Sequence, residues 1–95
     1  MTMKENVKYA AKHLLTEYLQ DNGLKRTPER YIILDAAYSF DGAFDIRMLQ
    51  TRLETEVRFR ICRATLYNNI GLLEKAGLLT LYQSKPRSMF KRAVN

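Results

Sequence analysis

Arg63, Tyr67, Asn68 and Lys75 set two cations, an aromatic and an amide at helical spacing along a stretch whose opposite side is apolar. Leu66, Ile70 and Leu73 stand at i, i+4 and i+7, so a helix over 63–76 buries that stripe. Tyr67, Asn68, Gly71 and Lys75 then face away from it, with Arg63 on the flank. These side chains suit duplex DNA. Arg pairs with phosphate or guanine, Asn can make a bidentate contact to adenine, and a Tyr ring packs against a thymine methyl. The stretch reads as a recognition helix; the plainer alternative is an amphipathic helix with a solvated polar face.

The residues after this helix support a DNA-facing layout. Gly77 can close the helix in the left-handed conformation, with Leu78 folding back on its last turn. Residues 79–83 are rich in strand formers, 84–88 are turn-forming and basic, and 89–93 can return as a second strand. A helix and then a hairpin with Lys85, Pro86 and Arg87 at its tip is the layout of a winged helix. Lys85, Arg87, Lys91 and Arg92 are expected to meet DNA backbone, while Tyr82 and Phe90 are expected to pack the wing.

Three further helices must position this unit. Val7, Ala10, Ala11, Leu14, Leu15, Tyr18 and Leu19 predict a first helix over 4–21, stopped by Asn22 and Gly23. Thr27 as cap and Pro28 at the first turn start a second, which Tyr31, Ile32, Leu34, Ala36, Ala37 and Tyr38 carry to about 39. Residues 40–44 read as a turn. Asp45 caps a third helix with Ile46, Leu49 and Leu53 inward, ending near 56, and 58–62 bridge it to the recognition helix.

The charge is unevenly placed. The formal net charge is +6, but residues 1–57 hold eight Lys+Arg against nine Asp+Glu, whereas 58–95 hold eight against one. The excess therefore sits on the proposed recognition helix, its approach and the hairpin, where a polyanion is the natural partner. One cysteine makes no internal disulfide and fits a reducing, cytoplasmic setting. No apolar run approaches the roughly 18 residues of a membrane span.

At these positions the chain resembles the ferric uptake regulator family of metal- or peroxide-responsive bacterial repressors. Residues 23–34, Gly-Leu-Lys-Arg-Thr-Pro-Glu-Arg-Tyr-Ile-Ile-Leu, resemble its opening signature. Arg63-Ala64-Thr65-Leu66-Tyr67, with Leu72 to Leu78 after it, resembles its recognition-helix signature. The resemblance implies that Thr65, Tyr67 and Asn68 face DNA and that Lys25 reaches a groove or backbone. It also implies a dimer on a palindromic site. The family usually has Arg where this chain has Asn68, which shifts preference from guanine toward adenine. It often opens the helix with Ser, where Cys62 stands here as a poorer cap.

Family members hold zinc, iron or other divalent metals through a second, dimerising domain, and some place a regulatory His where this chain has Gly42 and Ala43. His13 stands alone in the sequence, and the Cys and His residues form no metal-ligand spacing, so no cofactor is expected. Sensing is expected to lie outside these residues, which end about where a hinge to that domain would begin. Cys62 beside Arg63 could act as a redox thiol, but packing is its simpler role. Asp41, Asp45, Glu54 and Glu56 offer carboxylates without a nucleophile or phosphate loop, so catalysis is not expected.

The sequence thus predicts an α+β fold: a winged helix-turn-helix of four helices followed by a two-stranded β-hairpin wing, as a single domain over 1–95. Its expected DNA contacts are Lys25, Arg58, Arg60, Arg63, Thr65, Tyr67, Asn68, Lys85 and Arg87. The expected function is sequence-specific binding of double-stranded DNA in transcriptional regulation, as a homodimer. A winged-helix module binding an acidic protein partner is the alternative.

Overall fold

In the computed structural model, which describes residues 3–94 and side chains from Glu5 onward, four α-helices precede a hairpin. They are α1 (Met3–Asp21), α2 (Pro28–Ala37), α3 (Ile46–Arg52) and α4 (Arg63–Lys75), followed by strands β1 (Leu79–Gln83) and β2 (Met89–Arg92). This is the α+β winged helix-turn-helix expected from the sequence. Met1, Thr2 and Asn95, at the ends of the domain expected over 1–95, lie outside the described residues.

Two helices stop by the same device. Gly23 and Gly77 take φ of 64° and 77°, a region that lacks the steric penalty of a Cβ only for glycine. After α1, Leu24 N–H donates to Leu19 and Gly23 N–H to Gln20; after α4, Leu78 N–H donates to Leu73 and Gly77 N–H to Glu74. Both are Schellman closures that satisfy carbonyls left open by the helix end.

One core joins the elements. Ala11, Leu15 and Leu19 of α1, Ile33, Leu34, Ala36 and Ala37 of α2, and Leu49 of α3 meet Leu66, Ile70 and Leu73 of α4. Burying each large aliphatic side chain contributes about 1.5–3 kcal/mol. Ala10 and Leu14, expected inward, are instead exposed, because α1 rests chiefly on α2 and its apolar stripe is wider than that partner covers. Ile33, absent from the periodic reading, is fully buried.

Local chemistry corrects other expectations. Thr27 sits at the cap position of α2 but makes no side-chain cap bond. The Arg30 N–H that it would have satisfied donates to the Thr27 carbonyl instead. Asp45 does cap α3, accepting from Met48 N–H at 2.7 Å. Beyond Arg52 the third helix widens into a π-helical turn, Leu53–Val57, closed by Arg58 in the left-handed region at φ 57°. The Leu53 carbonyl accepts from both Arg58 and Phe59, which takes up the extra residue and reverses the chain toward α4.

The wing is tied down at two places. Phe44, expected in a turn, pairs with Phe90 through two backbone hydrogen bonds of 2.9 and 2.7 Å, adding a one-residue third strand. Its ring stacks on Phe40 and tilts against Phe90, and Arg52 lies over Phe40 at 3.8 Å. Tyr38, fully buried, donates its hydroxyl hydrogen to the Leu78 carbonyl at 2.5 Å and accepts from Val94 N–H at 3.4 Å. Tyr82, expected to pack the wing, is exposed. It falls where the β1–β2 register shifts between Leu81 and Gln83, and Lys91 stands over its ring at 4.9 Å.

Burial raises the Tyr38 phenol above its ordinary range, partly offset by backbone hydrogen bonding at Val94. The folded state therefore keeps this proton longer than the unfolded chain does. The stabilisation is fully present below the ordinary tyrosine value of about 10 and is lost as pH rises through the folded value. Tyr38→Phe should cost about 1–2 kcal/mol at neutral pH, by taking the partner of the half-buried Val94 N–H and one of the two donors to the Leu78 carbonyl. Thermal melts at neutral and alkaline pH should show the variant losing less of its own stability with rising pH than the wild type.

Candidate nucleic-acid interface

The chain folds so that α4 is anchored by one face. Leu66, Ile70 and Leu73 are buried, while Arg63, Thr65, Tyr67, Asn68 and Lys75 are exposed, Tyr67 to 51%. Gly71 places no Cβ on this surface, and a Cβ built there meets nothing within 4 Å. The helix thus presents the face its sequence implied.

Two grooves flank Tyr67. One is lined by Tyr18, Leu24, Asn68, Gly71, Leu72 and Lys75 together with Tyr67. Leu24 brings the α1–α2 connection to the outer side of α4, so Lys25, exposed, sits one residue from this groove; its carbonyl accepts from the Arg30 guanidinium. The other groove runs between the start of α3, the start of α4 and the wing tip, and is lined by Asp45, Ile46, Arg47, Arg63, Tyr67, Ser84, Pro86, Arg87 and Ser88. Tyr67 is the ridge between them.

Two of the three arginines of the second groove, Arg63 and Arg87, are held. Arg63 Nε donates to Gln50 Oε1 at 3.3 Å, and Gln50 Nε2 donates to the Ile61 carbonyl at 3.3 Å. Gln50 thereby links α3, the bridge and the base of α4. Arg87 Nη1 stands 3.4 Å from Asp45 Oδ2. Thr65 also has a partner: its hydroxyl lies 3.1 Å from Cys62 Sγ, and its carbonyl accepts from Asn69. Hydrogen bonding from the Thr65 hydroxyl, then from its backbone N–H, draws the exposed Cys62 thiol below its usual range.

The remaining expected residues are spread more widely. Arg58 and Arg60 are exposed on the bridge ahead of α4, and Lys85 is exposed at the wing tip. Neither groove includes Arg58, Arg60 or Lys85 in its lining. Arg47 and Gln50 are missed by a reading of the sequence that weighs only the inward positions of α3. Their three-residue spacing marks a second helix face, and only the fold shows that this face looks onto α4.

Metal chemistry finds no assembled ligands. No group of three His, Cys, Asp or Glu side chains is gathered among the described residues. His13 instead pairs with Glu17 one turn along α1 at 3.0 Å. No described helix is long and apolar enough to cross a membrane.

With this geometry, the chain superposes on the ferric uptake regulator Fur of Helicobacter pylori with a TM-score of 0.80, at 16% identity over 93% of this chain and 59% of that one. It has the fold of a ferric uptake regulator DNA-binding domain. GAS PerR-Zn-Zn matches at 0.68 and 16% identity, over 81% of this chain and 50% of that one. The Vibrio cholerae ferric uptake regulator matches at 0.64 and 25% identity, over 80% and 59%. The Helicobacter pylori structure is described as having three functional metal binding sites, and the Vibrio cholerae one as showing rearrangement of its DNA-binding domains. This chain spans between half and three fifths of the chains it matches. No protein-family model and no curated protein sequence matches it.

Gln50→Ala should leave the fold intact at a cost of about 1 kcal/mol, the worth of a partly exposed hydrogen bond. NMR of the Arg63 Nε proton should then show faster exchange with solvent than in the wild type.

Proposed function

We propose that this chain is the DNA-binding domain of a cytoplasmic transcriptional regulator of the ferric uptake regulator type, with α4 in the major groove and the wing, 79–93, on the flanking backbone. The observation that carries the reading is the open face of α4. An aromatic, an amide and an arginine stand exposed beside a basic hairpin, on a helix whose other face is fully buried. Arg63, Tyr67 and Asn68 read base edges; Thr65, Lys25, Arg58, Arg60, Lys85 and Arg87 meet phosphates and fix register. The concentration of positive charge after residue 57 supports the same surface.

The functional regulator acts as a homodimer on two half-sites, with repression as the expected output. Dimerisation and metal sensing belong to a further domain of the whole regulator. The chain by itself serves recognition, and isolated affinity is accordingly weak and salt-sensitive.

Binding of a random-sequence duplex across a salt series tests this. Affinity should fall steeply with salt, by a slope of about 0.9 per phosphate neutralised. Lys85→Ala should reduce that slope by about one, weakening all sequences alike. Arg63→Ala and Tyr67→Ala should each weaken binding, and Asn68→Ala should lose about 1–3 kcal/mol of discrimination at one base pair of a selected site. If a dimerised fusion also fails to bind duplex DNA at low salt, the basic face serves an acidic protein partner instead.

A further inference from the structure

The groove between α3, α4 and the wing contains a carboxylate on a surface otherwise suited to a polyanion. Asp45 is nearly enclosed, its side chain 10% exposed, while Arg87 on the opposite wall is 69% exposed. Oδ1 is fixed by the Met48 N–H, so the group cannot turn away, and Oδ2 faces Arg87 Nη1. Capping does not require the charge. A neutral Asn or Ser satisfies a helix start equally well and would not repel DNA. Nor does stability require the ion pair, since a pair with one exposed partner is worth little.

Orientation is what the pair supplies. An arginine near a hairpin tip has several rotatable bonds whose freedom is lost on binding, and that loss weakens affinity unless it has been met beforehand. Asp45 takes up one end of the guanidinium and leaves Nε and Nη2 to donate to a phosphate. We propose that Asp45 is a positioning residue for DNA binding, holding Arg87 and the wing tip in the attitude that meets a backbone phosphate beside Arg63 and Tyr67. The inference rests on the DNA-facing reading of α4 and the wing.

Asp45→Asn separates the two roles, because it keeps the cap, removes the pair and takes away one negative charge. Charge alone makes this variant bind duplex DNA more tightly than the wild type. Positioning makes it bind about two- to fivefold more weakly, since a half-exposed pair can pre-order a side chain by no more than its own modest worth. Asp45→Ser should behave in the same way, and melting curves check that both remain folded. In an Arg87→Ala background, Asp45→Asn should bring no further loss. In the free protein, heteronuclear NOEs of Arg87 Nε should drop from near backbone values to those of a mobile tip when Asp45 is replaced. Unchanged or tighter binding by folded Asp45→Asn, or an equal loss with and without Arg87, overturns the proposal. A wild type that binds no duplex, even as a dimerised fusion, overturns the DNA reading and this inference with it; a wild type that binds while Asp45→Asn binds equally overturns only the positioning role.

Discussion

The Leu78 carbonyl is the joint on which the two halves of the molecule turn. It accepts from the Tyr38 hydroxyl at the end of α2 and from Ala93 N–H at the end of the wing. Tyr38 is wholly buried there, so its hydroxyl has no water to fall back on, and in that setting a hydrogen bond is costly to leave unmade. Through this one oxygen the helical core, the turn after α4 and the return strand are held to a common point. Phe44 and Phe90 add a second tie on the other side of β2, with backbone pairing and ring contact in the same place.

Because the wing is fixed at its base, its tip is placed relative to α4. The hairpin leaves the core after Leu79, and everything from Thr80 to Ser88 is exposed. Such an arm would wander if nothing held its far end. Arg87 reaches back to the start of α3, while Gln50 of the same helix reaches the base of α4. The short third helix therefore serves more as a bracket for its neighbours' arginines than as a contact surface of its own.

The likeness to ferric uptake regulators is one of shape at 16–25% identity, and a shared fold does not by itself confer a shared task. DNA binding is proposed from the chemistry displayed on that shape. The first 57 residues are close to neutral, and they carry most of the buried core. The remaining residues carry the positive charge, and they form the exposed helix face and hairpin. The proposed binding surface thus lies mostly after residue 57, with Lys25 outside that stretch.

Local structure was legible in the residues wherever the physics that sets it is local. Apolar spacing marked all four helices, Gly23 and Gly77 marked two helix ends through their left-handed backbone, and Asp45 marked a cap within reach of Met48. The open face of α4 was legible too, because one buried stripe on a helix dictates which residues face away. The rest was settled by contacts between elements. A one-residue strand at Phe44 has no period to read. Tyr82 lies outside the core because a register shift between two strands put it there. The exposure of Ala10 and Leu14 depends on how much of α1 its partner covers. Thr27 loses its cap bond to a carbonyl already in place. The pairing of Asp45 with Arg87 joins residues far apart in the chain, and such a contact exists only once the core has set α3 and the wing side by side.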